Sequence, residues 1–215
     1  VHAGVLPALA TGHDHAGSDR WTVIRARPGQ DLTAALDRAG LTGAAEDGLE
    51  AAVRAWAGGD LLLVIDQLEE MFTTADGHTV PDALSSLAAL INDIMTVRIL
   101  LIMRDDFYPE LAALAPALLR AMTSGLVNVP ATLTRADVRA IVDRPAESVG
   151  LRLDPGLTQQ IIADLESTDT GTPDRRIPVT VLPLLELALL QLWERRADGR
   201  LTLDGYQRMG GVTGG

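Results

Sequence analysis

The chain has 215 residues, 47% of them hydrophobic, which supports a substantial core and excludes an intrinsically disordered chain. Its formal net charge of −11 and pI near 4.7 repel nucleic acid and anionic lipid, which argues against a DNA-binding module or a membrane partner. Cys is absent, excluding disulfides and thiolate chemistry, and all 18 basic residues are Arg, so no Lys is available to hold a nucleotide phosphate. Aromatics make up only 3%, so Leu, Val, Ile and Ala must fill the core. No apolar run approaches the ~20 residues that span a bilayer. No signal-peptide pattern opens the chain, and a cytoplasmic location is expected.

Val1 to Ala10 reads as the tail of a helix without a cap. A Gly/His/Asp/Ser loop follows to Asp19. His13 and His15 in that loop lack a third metal ligand in the sequence, and a solvated loop is the plainer reading. Trp21 to Arg27 is rich in β-formers and ends at Pro28-Gly29. Asp31 to Ala39 and Ala44 to Ala57 have helical patterns, the second closed by Gly58-Gly59.

Leu61-Leu62-Leu63-Val64-Ile65 is an unbroken apolar run. Such a run cannot alternate between core and water. It predicts a strand buried on both faces, as in a parallel sheet covered by helices. Asp66 then falls at the carboxyl end of the strand, where open α/β sheets place ligands. Glu69 and Glu70 follow on the next turn. The pattern fits a Walker B element, with one carboxylate for Mg²⁺ and another for the attacking water. It fits equally a core strand whose acids open the next helix.

Further on, Thr73 to Val80 is a polar loop and Pro81 to Met95 an amphipathic helix. Val97 to Met103 is a second buried strand, ending in Arg104-Asp105-Asp106-Phe107-Tyr108. If the two strands are parallel neighbours, Arg104 emerges at the same edge as Asp66. It could then act as a polar sensor or simply pair with a nearby acid. Phe107 to Leu119 is helical, interrupted by Pro109 and Pro116, and Leu126 to Val129 is a short strand. This alternation predicts a mostly parallel α/β sheet. After Pro130 the pattern turns all-helical. Its helices are Arg135 to about Val149 capped by Thr134, Pro155 to Leu165, and Pro178 to Arg196. A polar loop from Ser167 to Arg176 and a last element from Leu201 to Met209 complete the chain.

Taken together, these pieces resemble a bacterial novel STAND NTPase module, a signal-transduction relative of the AAA+ ATPases. The resemblance rests on Ala3-Gly4-Val5-Leu6-Pro7, Val64-Ile65-Asp66-Gln67-Leu68-Glu69-Glu70-Met71-Phe72 and Arg104-Asp105-Asp106-Phe107-Tyr108. It continues through Leu133-Thr134-Arg135, Leu182-Pro183-Leu184-Leu185-Glu186, Leu192-Trp193-Glu194-Arg195-Arg196, and Tyr206 with Gly210-Gly211-Val212. It implies a P-loop NTPase-like core over 1–130, a helical lid over 131–200 and the start of a winged-helix segment over 201–215. It further implies ATP and Mg²⁺ as cofactors. Asp66 takes the Mg²⁺-binding role, Glu69 or Glu70 orients water, and Arg104 stands in the sensor position. Pro183 is the lid-helix proline near the adenine, although a proline also suits any first helical turn. Partners in the parent would be nucleotide, WD or other repeat domains, and further copies on activation.

One departure limits that expectation. The family's Gly-Lys-Ser/Thr phosphate loop, and the strand before it, precede the segment matching Val1 to Leu9 and have no counterpart here. In the family's sheet that strand lies beside the sensor strand, so an exposed apolar edge is expected there. Two other readings stay open: a scaffold that keeps the fold without nucleotide, and a metal-dependent hydrolase using Asp66, Glu69, Glu70, Asp105 and Asp106. Isothermal titration of the 215-residue chain with Mg-ATP is expected to show weak or no binding. Micromolar affinity would contradict this expectation.

Overall fold

The fold is built outward from β2 (Leu61–Ile65), whose five side chains are all buried. In this computed structural model, which describes residues 5–12, 16–74, 79–93, 96–168 and 176–213, β2 lies between β1 (Thr22–Ala26) and β3 (Val97–Leu101). Both neighbours run parallel to it, with Ile65 beside Ala26 on one side and Leu101 on the other. Parallel strands need crossovers. Here β1 is followed by α2 (Leu32–Arg38) and α3 (Leu49–Ala55), and β2 by α4 (Glu70–Thr74) and α5 (Thr79–Asp93). A short α1 (Val5–Thr11) precedes the sheet, and α6 (Tyr108–Leu114) and α7 (Pro116–Met122) follow it.

The core packs Ile24 and Ala26 of β1 and Leu61, Leu63 and Ile65 of β2 with Leu36, Leu49, Leu84, Leu87 and Leu90 of the helices. Leu62 and Val64 point to the other face and are buried as well. Continuous hydrophobicity therefore matches burial on both faces, as expected for β2. Among the described residues β3 pairs only with β2, and its Ile99, Leu100 and Leu101 are half-buried.

The chain divides into two compact units, residues 1–126 and 127–215. In the second, α8 (Arg135–Ser148), α9 (Leu157–Thr168), α10 (Leu182–Glu194) and α11 (Leu203–Arg208) enclose their own core, with Val138, Ile161, Leu165, Leu185, Leu192 and Tyr206 at its centre. Thr134 and Asp137 form a reciprocal capping box at the start of α8. Tyr206 is buried and its hydroxyl donates to Asp164 at 2.7 Å. Burial and then the Asp164 carboxylate push that hydroxyl's pKa up. A Cβ on Gly211 would come within 2.8 Å of the same Asp164 carboxylate, and Gly211 has φ +71, so glycine is required twice over.

Three expectations are corrected. Ala44 to Ala57 is not one helix: turns run through 42–47, and α3 starts only at Leu49. Gly43 at φ +88 and Gly48 at φ +86 take left-handed conformations that end any helical run. Leu126 to Val129 forms no strand; Val127 and Val129 are 82% and 86% exposed, without a partner strand to accept their β-propensity. The second unit is not all-helical. Short ladders pair β4 (Thr132–Leu133) with β6 (Ile177–Pro178), and β5 (Arg152–Leu153) with β7 (Arg200–Leu201). They satisfy backbone groups where loops meet, which no side-chain pattern announces. His13, His15 and most of the 167–176 loop lie outside the described residues.

The turn after β1 is held by Asp31, which caps α2. Its Oδ1 accepts from the Ala34 amide at 3.0 Å and the Thr33 hydroxyl at 2.7 Å. Those bonds, the Ala34 amide first, hold its carboxyl below the ordinary value of 3.8. The charged form is favoured in the fold, so this stabilisation is present above that value and is lost as pH falls through the folded value. Asp31→Ala should lower stability by ~1 kcal/mol at neutral pH, with a shrinking penalty in acid. Urea melts at several pH values check this; a pH-independent penalty would contradict it.

Candidate functional site

Because the strands are parallel, their carboxyl ends share one edge. Ala26, Ile65 and Leu101 stand in register there. The next residues of each chain therefore converge: Arg27 to Gly29 from β1, Asp66 to Glu70 from β2, and Met103 to Asp106 from β3.

The backbone after β2 holds Asp66 between its neighbours. The Asp66 N–H donates to the Ala26 carbonyl at 2.9 Å. The Ile102 N–H donates to the Ile65 carbonyl, and the Leu68 N–H to the Ile102 carbonyl, both at 2.9 Å. Regular strand parity would direct the Leu68 N–H to the same side as that of Asp66. It reverses because Gln67 is left-handed, with φ 61. A non-glycine residue accepts that conformation at a cost of roughly 1 kcal/mol. The reversal ends the β1 ladder at Asp66 and ties the following turn to β3.

The Asp66 side chain is only 14% exposed, and its Oδ2 lies 3.7 Å from the Arg25 guanidinium on β1. Glu69 Oε2 accepts a long bond of 3.4 Å from the Arg104 backbone N–H. Glu70 Oε2 accepts from the Gly29 N–H at 3.2 Å. The Arg104 guanidinium itself turns to Asp106, with bonds of 3.1 and 2.6 Å to its two carboxylate oxygens. It also lies 5.7 Å from the centre of the Phe107 ring, which stacks at 6.1 Å with Phe72. Arg104 and Asp106 are 66% and 53% exposed, so this pair adds little to stability.

Asp66, Glu69, Glu70 and Arg104 are thus brought to one sheet edge. Pro183 lies in the other unit, exposed in the first turn of α10, where a missing N–H costs nothing. Arg25 and Gly29 were not singled out from the sequence. A signal for Arg25 existed: a charged residue one position from the end of a strand must find a partner or water on the noncore face. Gly29 carried none beyond its turn-forming type.

Among the described residues, no three His, Asp or Glu side chains converge as a metal cage. A hydrolase with Asp66, Glu69, Glu70, Asp105 and Asp106 around one ion therefore lacks its ligand sphere. The arrangement does fit Mg²⁺ of the kind that takes one or two carboxylates and completes its octahedron with water and substrate phosphates. Asp66, shielded and at the strand end, is the residue suited to hold it.

No helix among the described residues is long and apolar enough to cross a membrane. A comparison with curated proteins finds no match. A family model described as novel STAND NTPase 1 matches residues 1–215. That match spans the parallel sheet, its edge of acids and the second unit alike, and the chain belongs to the novel STAND NTPase 1 family.

Proposed function

We propose that this chain forms part of an ATP-dependent signalling switch, with the Walker B carboxylate supplied by Asp66. The observation that carries the reading is the convergence of Asp66, Glu69 and Arg104 at the carboxyl edge of adjacent parallel strands. Asp66 would hold Mg²⁺, which would supply charge neutralisation to the phosphates when bound. One of Glu69 and Glu70 orients the attacking water. Arg104, released from Asp106, reads the terminal phosphate. Pro183 belongs to a lid whose helix borders the adenine. The phosphate-holding Lys of such a site must come from outside these 215 residues, since the chain has none. The module works in the cytoplasm, beside repeat domains of its parent, and assembles with further copies on activation.

A scaffold that keeps the fold without nucleotide is favoured by a different observation: Asp66 already has Arg25 at 3.7 Å, and Arg104 already has Asp106. Both pairs satisfy the edge with no ligand. Hydrolysis separates the two readings. In a protein joining this chain to a phosphate-binding loop, Asp66→Ala should abolish Mg-ATP turnover while circular dichroism shows the fold retained. Loss of the water-orienting acid should cost about 10²–10⁴-fold. Turnover unchanged by Asp66→Ala removes Asp66 from the mechanism, and no turnover in the unmutated protein favours the scaffold.

A further inference from the structure

Two acids adjacent in sequence follow β2, and their contacts diverge. Glu69 turns towards β3, where its one described bond, to the Arg104 N–H, is 3.4 Å long and therefore weak. Glu70 turns the opposite way, towards β1, and accepts from the Gly29 N–H at 3.2 Å. Forty-one residues separate that pair in sequence. Gly29 has φ +52, within the turn that leads from β1 to the Asp31 cap. Two other links join the same strand ends: the Asp66 N–H to the Ala26 carbonyl at 2.9 Å, and Arg25 to the Asp66 carboxylate at 3.7 Å. Of the three links, the Glu70 bond joins the residues furthest along the chain beyond the two strand ends.

We infer that Glu70 is a positioning residue, a latch that holds the β1 exit turn against the end of β2 and so fixes Asp66 beside Arg25. The carboxylate left to serve a ligand at the β2–β3 edge is then Glu69. A Glu70 committed to a backbone amide on the β1 side cannot orient water on the β3 side without releasing Gly29. This assignment rests on the reading of Asp66 as the metal-binding residue, but the latch itself involves no metal.

Amide hydrogen exchange followed by NMR on the whole 215-residue chain, without metal or nucleotide, tests the latch. Exchange at Gly29 is compared with that at Val64, within β2, so that a general loss of stability cancels. Glu70→Ala should speed Gly29 exchange about five-fold relative to Val64, the effect of losing one ordinary hydrogen bond. It should also move the Asp66 carboxyl carbon resonance. Glu70→Gln, whose side-chain oxygen still accepts, should restore Gly29 protection. Glu69→Ala should leave Gly29 and the Asp66 resonance as they were. Gly29 protection that survives Glu70→Ala, or that is lost equally in Glu69→Ala, overturns the inference. Because the samples contain no ligand, failure of the nucleotide reading would leave these outcomes intact, and the latch can fail while Asp66 still binds metal.

Discussion

The site depends on the parallel pairing of β2 with both of its neighbours. A strand with five buried apolar side chains has no solvated face and must be enclosed. Parallel enclosure sends all three strand ends to one edge, and the residues that leave the strands there meet whatever their distance in sequence. Residues near 27, 66 and 104 are brought together in this way by the backbone ladder, and side-chain contacts such as Glu70 with the Gly29 amide then join them. Positioning by rigid elements is what phosphoryl chemistry requires, since it asks for placed charge more than for covalent help.

The edge is electrostatically occupied by its own residues. Arg25 partly neutralises a shielded Asp66, and Asp106 engages Arg104 in solvent. Both pairs hold opposite charges close enough to limit repulsion among the acids, but they differ in burial: Asp66 is 14% exposed, whereas Arg104 and Asp106 both stand in solvent. An exposed pair contributes on the order of 0–1 kcal/mol. Opening the solvent-exposed Arg104–Asp106 pair is therefore a small energetic step. The left-handed Gln67 between Asp66 and Leu68 adds a fixed bend that keeps Glu69 and Glu70 near the edge rather than along the strand.

Much of this was legible in the sequence because burial writes itself into side chains. The runs at Leu61 to Ile65 and Val97 to Leu101 announce parallel strands, and Asp66 and Arg104 follow from where those runs stop. The capped helices at Asp31 and Thr134 are equally plain. Backbone-driven features were not. Gly43 and Gly48 broke a helical pattern whose composition remained favourable, and the two-residue ladders of the second unit use amides and carbonyls that every residue carries. Leu126 to Val129 has strand-forming side chains but no partner strand, and propensity without pairing makes no strand. The Glu70 bond to Gly29 joins a side chain to a main-chain amide, which gives sequence spacing nothing to detect.

If Asp66 is the metal-binding residue we propose, the β2–β3 edge takes up a divalent cation. Paramagnetic broadening by sub-stoichiometric Mn²⁺, followed in amide NMR spectra, measures this most directly. Broadening should centre on Asp66 to Glu69 and Arg104, and should be lost from those amides in Asp66→Asn. Broadening spread over the 29 acidic residues of the chain, or the same at that edge in Asp66→Asn, would contradict it.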